Sequence, residues 1–371
     1  MTPQLQAARQ LLVAAVLTAA LGLPAAAAPA MLEGVPRYDH VFVIVEENKD
    51  YAQILSPVAA PNIAGFAAKY GDAARFFGEG HPSEGNYVAL LGGDNLGMHD
   101  DDAFYCKPLT TEPYCGGARG AGYVEHTVVE RHLGQQLEEL GLTWKGYYSD
   151  LPEPGSLAVV SAPRKSGGTS YPSALYASKH SGFLNFAAVQ SDPKRAEHIV
   201  GFDQLDRDLL SNQLPNFALI IPNQCDEMHG LLGPSVPKGC NILSTKSLIR
   251  RGDRVLGELV ARLQLTRAWA SSKNMAIVIT FDEGSGGARE GCCGVTPKAT
   301  SNFGGGRIPT VVITNHGPRG ITDPTAYNHY SLLRTIEDAF GIDEHLRHAA
   351  DAHLGVYPMV PLFSLPAPVK P

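Results

Sequence analysis

A three-layer α/β/α sandwich around a mostly parallel central sheet is the fold class this sequence predicts, and two observations predict it. Short, almost unbroken β-branched or aromatic runs recur, as in His-Val-Phe-Val-Ile-Val at His40–Val45 and Met-Ala-Ile-Val-Ile-Thr-Phe at Met275–Phe281. Such runs mark strands buried on both faces. Between them lie segments of helical periodicity, so strands and helices alternate along the chain. The chain has 371 residues, 44% of them hydrophobic, enough for a substantial core. No linker-like stretch divides it, and residues 31–371 are read as a single domain.

The first 30 residues are set apart. Arg9 is their one charged side chain, Leu11–Leu23 is apolar but for Thr18 and Gly22, and Ala25–Ala28 offers small residues to a signal peptidase. That apolar run fits a signal-peptide core better than a membrane span. Residues 1–30 are therefore expected to be a signal peptide, cleaved after Ala27 or Ala30, and the protein to be secreted or periplasmic. No later segment is apolar for long enough to insert stably in a membrane.

From there the elements follow in order. After the strand at His40–Val45, a helix is expected over Ile63–Tyr70. Ser83 then follows a His-Pro corner ahead of the apolar Tyr87–Leu91, and reads as a helix N-cap. Asp94–Tyr114 is polar and reads as a loop, with Asp100-Asp101-Asp102 as a solvated acidic turn. Thr127-Val-Val-Glu130 has the form of a capping box, so a helix is expected from Thr127 to Gly141, with a strand at Leu142–Tyr148. Residues 149–172 are rich in Pro, Gly and Ser and read as a surface excursion, followed by a helix over Tyr171–Lys179. Asn216–Pro222 is a strand, Asp253–Ser272 a long helix begun after Gly252, Arg307–Thr314 a strand, and Tyr330–Phe340 a helix stopped by Gly341.

An exported chain makes its six cysteines readable as disulfides. Cys106 with Cys115 and Cys225 with Cys240 are the expected local pairs. Cys292 and Cys293 are adjacent, and form either a vicinal bridge or bonds elsewhere. A formal charge of −7 without any basic run disfavours nucleic acid as a partner. The sequence carries no signature of an oligomeric state.

Three strands end in polar clusters: Glu46-Glu47-Asn48, Asp226-Glu227-Met-His229 and Asp282-Glu283. A helix opens with Asn328-His329. In a parallel sheet all strand C-termini share one edge, where α/β proteins place their ligands. Singly, each cluster also reads as a helix cap or a salt-bridge partner. Gathered together, the carboxylates would repel unless a cation lay between them. Oxygen ligands suit Mg, Ca or Mn, and added histidine suits Zn or Fe, so one or two divalent ions are expected without a choice among these metals.

Five runs carry a family resemblance: Val43-Ile-Val-Glu-Glu-Asn, His81-Pro-Ser-x-x-Asn-Tyr-x-Ala-Leu, Pro222-Asn-x-Cys-x-x-Met-His, Ile279-Thr-Phe-Asp-Glu-Gly and Asn328-His-Tyr-Ser-Leu-Leu-Arg-Thr-Ile-Glu-Asp-Ala-Phe-Gly. They resemble the secreted acid phosphatase and phospholipase C phosphoesterase family of the alkaline phosphatase superfamily, in order from Tyr38 to Gly341. The resemblance implies an alkaline phosphatase-like fold and hydrolysis of small phosphate monoesters through a phosphoserine on Ser83. Phospholipase C or other phosphodiesterase activity is the alternative. It also implies Glu47, Asn48, Ser83, Asp282 and Glu283 as metal ligands, with Asp226 or Glu227 at a second ion or the phosphate. His229 and His329 are implied as further ligands of such an ion or as proton donors, and Asn86 as a phosphate-oxygen donor. The chain departs from the usual pattern at Glu84-Gly85, where relatives carry Leu-Pro, and at Asp226-Glu227, where Asn-Asp is more usual. The chemistry agrees: phosphoryl transfer is catalysed by positioning and cations. A serine acyl hydrolase would need a Gly-x-Ser-x-Gly elbow, which Ser83 lacks. A non-catalytic scavenger of phosphate or metal is the remaining class.

Overall fold

A computed structural model of the chain describes residues 31–365 apart from 57, 102–124, 167–168, 173, 234–235, 272 and 295–303. The expected signal peptide and the Cys106–Cys115 pair lie outside the described residues.

Nine strands form the main sheet: β1 (His40–Glu46), β2 (Gly71–Phe77), β3 (Trp144–Tyr148), β4 (Ile199–Gly201), β5 (Phe217–Ile221), β6 (Met275–Phe281), β7 (Arg307–Ile308), β8 (Val311–Thr314) and β9 (Ile321–Asn328). In space they run β9-β2-(β7, β8)-β6-β1-β5-β3-β4. From β6 to β4 every pairing is parallel, and β2 pairs parallel with β9. β8 lies antiparallel between β6 and β2, so the sheet is mostly parallel rather than wholly so. Helices α1 (Pro61–Lys69), α2 (Glu84–Gly92), α3 (Leu133–Glu139), α4 (Phe202–Ser211), α5 (Thr245–Gln264) and α6 (His329–Phe340) pack around it. Every residue of β1 and β6 is buried, as continuous apolar runs require.

Several elements differ from expectation for physical reasons. The capping box sits five residues downstream of Thr127. His132 Nδ1 accepts a hydrogen bond from Gly134 N, and His132 N donates one to Gln135 Oε1, because Val128 is engaged with Phe186 in a bridge. The long helix starts at Thr245 and ends at Gln264, not at Asp253 and Ser272. Gly252 is inside it, since a Cβ there would stand 2.4 Å from Met228 Cγ: the glycine allows close packing and breaks nothing. In place of a helix over Tyr171–Lys179 there is a strand ending at Tyr171 and a short 3₁₀ turn, Ser178–His180. Pro309 divides Arg307–Thr314 into β7 and β8, lacking the N–H a ladder needs. Among the described residues, the bonded cysteine pairs are Cys225–Cys240 and the vicinal Cys292–Cys293. Among the described residues, no helix is long and apolar enough to cross a membrane.

Candidate active site

The site is assembled by strand register. Glu46 lies opposite Phe281, so Glu47 and Asp282 leave the sheet side by side. Two further bonds tie the strand ends together: Asp282 N donates to Glu46 O at 3.1 Å, and Glu47 N donates to Glu227 O at 2.7 Å. Asn48 takes a left-handed φ of 51°, turning the chain so that its N–H meets Asp282 Oδ1 at 3.1 Å. Below them Lys49 Nζ donates to the carbonyls of Glu47, Asn48 and Met228 at 3.3, 3.1 and 3.0 Å.

Ser83 enters this group from the end of β2. Its hydroxyl donates to Glu47 Oε2 at 3.2 Å and lies 3.5 Å from Asn48 Oδ1, and the residue is buried at the start of α2. Asn86 fixes the turn before it. Its Oδ1 accepts from Glu79 N and Gly80 N at 2.9 and 3.1 Å, and its Nδ2 donates to Gly80 O at 3.1 Å. With its amide committed to backbone, Asn86 holds Ser83 in place rather than facing the acids.

On the other flank stands His180, which sequence reasoning missed. Nδ1 lies 2.8 Å from Glu227 Oε1 and Nε2 lies 3.3 Å from Glu47 Oε1. Tyr87 stacks on its ring at 5.6 Å and donates to Glu47 Oε1 at 2.5 Å. His229 is next to it, its Nδ1 2.8 Å from Gly230 O. Glu47, His180 and His229 each offer a ligand atom, all within 4.8 Å of one another. Of Asp226 and Glu227, one side chain points toward the group and the other away from it. Glu227 is buried and faces inward, whereas Asp226 turns away to Arg251 Nε at 2.7 Å and Asn223 Nδ2 at 3.0 Å.

Two other expected residues sit behind the centre. His329 has both ring nitrogens engaged, Nδ1 with Glu79 Oε2 at 2.5 Å and Nε2 with Phe281 O at 2.9 Å. Burial disfavours its charge, but Glu79 outweighs this and holds its pKa above the usual histidine value. Glu283 lies 2.8 Å from His81 Nδ1 at the edge of the group. Glu84 is buried against His126 and receives Asn185 Nδ2 at 2.6 Å; burial lifts it to about 7.

The donor set fits a cation on two observations. The Glu227 carboxylate is buried, and its 2.8 Å approach to His180 Nδ1 lacks hydrogen-bond geometry, as does the 3.3 Å approach of His180 Nε2 to Glu47. The Asn48 amide lies against Glu47 Oε2 and both Asp282 oxygens, to which its nitrogen can donate. Burial first, and then neighbouring carboxylates, push Glu47 and Glu227 far above the usual carboxylate range. Burial likewise raises Asp282 and Glu283. Carboxylates this crowded stay charged together only around positive charge.

The model of the phosphoesterase family matches residues 53–343. A phosphatidylinositol-3-phosphatase of Mycobacterium tuberculosis is 29% identical over 83% of this chain and 79% of its own length. A probable acid phosphatase of Kluyveromyces lactis is 24% identical over 85% of this chain, and an acid phosphatase of Aspergillus fumigatus 25% identical over 84%. This chain spans 62% and 56% of those two proteins' lengths. Among solved structures, an alkaline phosphatase superfamily protein from Vibrio parahaemolyticus superimposes with a TM-score of 0.50 at 12% identity, covering 85% of this chain and 72% of that one. A lipoteichoic acid synthase from Listeria monocytogenes gives 0.50 at 11% identity, over 90% and 76%. The fold is that of the alkaline phosphatase superfamily, and the chain belongs to the phosphoesterase family as a phosphoric ester hydrolase.

Proposed function

We propose that the protein is a metal-dependent phosphomonoesterase of acid phosphatase type acting through a phosphoserine on Ser83. The observation that carries this reading is the 3.2 Å contact between Ser83 Oγ and Glu47 Oε2, made at a helix start and beside Asn48 and Asp282. Glu47, Asn48, Ser83 and Asp282 would hold the first divalent ion, and Glu47, Glu227, His180 and His229 a second where one binds. Glu283 belongs to the outer rim of this set through His81. Bound there, a divalent ion lowers the pKa of a hydroxyl and neutralises phosphoryl oxygens.

The chain's own residues do the rest. Glu47 accepts the hydrogen bond of the Ser83 hydroxyl and orients Oγ toward phosphorus. The N-terminus of α2 favours the anionic phosphoryl group there. As the Oγ–P bond forms, the Ser83 proton passes to Glu47 and the ester P–O bond breaks, and the leaving alkoxide takes up that proton, relayed from Glu47 across the His180–His229 flank. Water then attacks phosphorus, the Oγ–P bond breaks, and one water proton passes to Ser83 Oγ as inorganic phosphate leaves. His329 acts through Asp282, as a cationic support behind it. The named relatives are phosphatases, which favours monoesters over diesters. Residues 31–371 would form one catalytic domain, exported by way of residues 1–30.

Turnover of p-nitrophenyl phosphate, abolished by EDTA and by Ser83→Ala and exceeding that of bis-p-nitrophenyl phosphate, is the expected result. Activity unaffected by Ser83→Ala would refute the mechanism.

A further inference from the structure

The segment that follows His229 has an unusual surface. The segment, residues 230–233 and 236–244, is pinned by the Cys225–Cys240 bond, by Leu231 N donating to Cys240 O at 2.8 Å, and by Ile242 N donating to Leu231 O at 3.1 Å. Its inner side has a small core of its own, in which Leu231 and Val236 pack on Leu175, Cys225 and Cys240. Its outer side is apolar as well. Leu232 is 71% exposed, Ile242 36% and Leu243 82%. Scattered exposed apolar side chains are ordinary, but three in one braced loop, flanking the Leu231–Asn241 bridge, make a patch.

Positive charge surrounds that patch in a chain whose net charge is −7. Residues 231–254 hold Lys238, Lys246, Arg250, Arg251 and Arg254 against one carboxylate, Asp253, which is buried and bonded to Asn62 and Ile63. Arg251 is taken by Asp226, and Arg254 by Glu258. Lys238, Lys246 and Arg250 are exposed, and none of them is in an ion pair among the described residues. Lys246 and Arg250 are four apart on the solvent side of α5, about 6 Å of helix rise. Because α5 leads back to the start of β6, it runs against the parallel strands, and its N-terminus lies at the edge where those strands end. The apolar tips, the free cations and the active site therefore share one edge of the molecule.

We propose that residues 230–250 dock the enzyme on an anionic lipid surface. Leu232, Ile242 and Leu243 enter the headgroup region while Lys238, Lys246 and Arg250 meet its acidic groups, the pairing that binds peripheral proteins to such membranes. Docked in this way, the His229 flank of the site opens toward phosphate esters carried on lipid headgroups. That consequence for substrate rests on the phosphomonoesterase reading; the binding itself does not.

The test is flotation of the full chain with vesicles of phosphatidylcholine alone and of phosphatidylcholine with phosphatidylserine in equal parts. Binding to the anionic vesicles only is expected, lost when salt rises from about 0.1 M to about 1 M and the screening length falls from roughly 10 to 3 Å. Leu232→Ser/Leu243→Ser and Lys246→Glu/Arg250→Glu should each weaken binding at least about tenfold. Leu210→Ser/Leu265→Ser should not, because those equally exposed leucines lie at the far ends of α4 and α5. All variants should keep wild-type turnover of p-nitrophenyl phosphate. The proposal is overturned if wild type ignores anionic vesicles, binds neutral ones equally, or loses as much binding in the control variant. It also falls if the Leu232/Leu243 variant converts a dimer to a monomer in sedimentation. Absent p-nitrophenyl phosphate turnover by wild type would instead sink the phosphomonoesterase reading and leave the vesicle result standing.

Discussion

Ser83 Oγ meets Glu47 Oε2 across 36 residues of sequence, and the sheet makes the contact. Glu47 is placed by β1, Ser83 by the turn after β2, and Asp282 by β6 lies beside Glu47. A hydroxyl held against crowded, buried carboxylates does two things at once: it is costly for the fold and useful for the chemistry. The two sides of that trade can be measured separately.

Activity comes first. Ser83→Ala and Glu47→Gln should each lower kcat for p-nitrophenyl phosphate on the order of 10⁴-fold or more, since parts of one catalytic unit fail together. The double variant should be little worse than either alone. Additive losses in the double variant would show that the two residues act independently.

Stability should move the other way. In EDTA, Glu227→Gln should raise the melting temperature, because it removes a buried carboxylate that faces His180 at 2.8 Å without hydrogen-bond geometry. Adding Mn or Zn should raise the wild-type melting temperature with metal concentration, by roughly 2.7 kcal/mol at a hundredfold excess over Kd. The gain should shrink in Glu47→Gln and Asp282→Asn. A wild-type melting temperature indifferent to every divalent ion would argue against a metal centre here.

Much of this centre is legible in the sequence because strand ends are. The runs at His40–Val45 and Met275–Phe281 announce buried strands, and a parallel sheet then brings their terminal acids together. What was not legible has specific causes. β2 reads Gly-Asp-Ala-Ala-Arg-Phe-Phe, with too few β-branched residues to mark a strand. His180 lies on a 3₁₀ turn just past the helix expected over Tyr171–Lys179, so no periodicity points it inward. Local spacing fits Thr127 and His132 equally well as caps, and only the bridge from Val128 to Phe186 decides. Asp226 and Glu227 are neighbours of one charge, separated by an arginine 25 residues away.

That last pair yields a contrast. Asp226→Asn should leave kcat near wild type, since its partners are Arg251 and Asn223, and should cost about 1 kcal/mol of stability at most for a partly exposed ion pair. Glu227→Gln should reduce kcat strongly while sparing the fold. Equal effects of the two substitutions on kcat would mean that Asp226 also serves the site.

Acid stability should depend on His132. Its ring is buried among Trp144, Phe183 and Phe186, and Nδ1 accepts the Gly134 N–H that caps α3. Burial, helped by the nearby His198, lowers its pKa from 6.5 to about 3. Between those values the unfolded chain binds the proton and the folded one does not, so stability rises with pH through that window. The contribution is complete above 6.5 and is lost as pH falls toward 3, at about 1.4 kcal/mol per pH unit at most. Protonation would also remove the acceptor that caps the helix, so charge and cap fail together. Asparagine keeps a cap acceptor and cannot titrate, although it loses the aromatic packing. His132→Asn should therefore be less stable than wild type at neutral pH, yet lose less on acidification. Urea midpoints measured from pH 7 down to pH 4 would show two curves converging as pH falls. Parallel curves would assign the acid sensitivity to other groups.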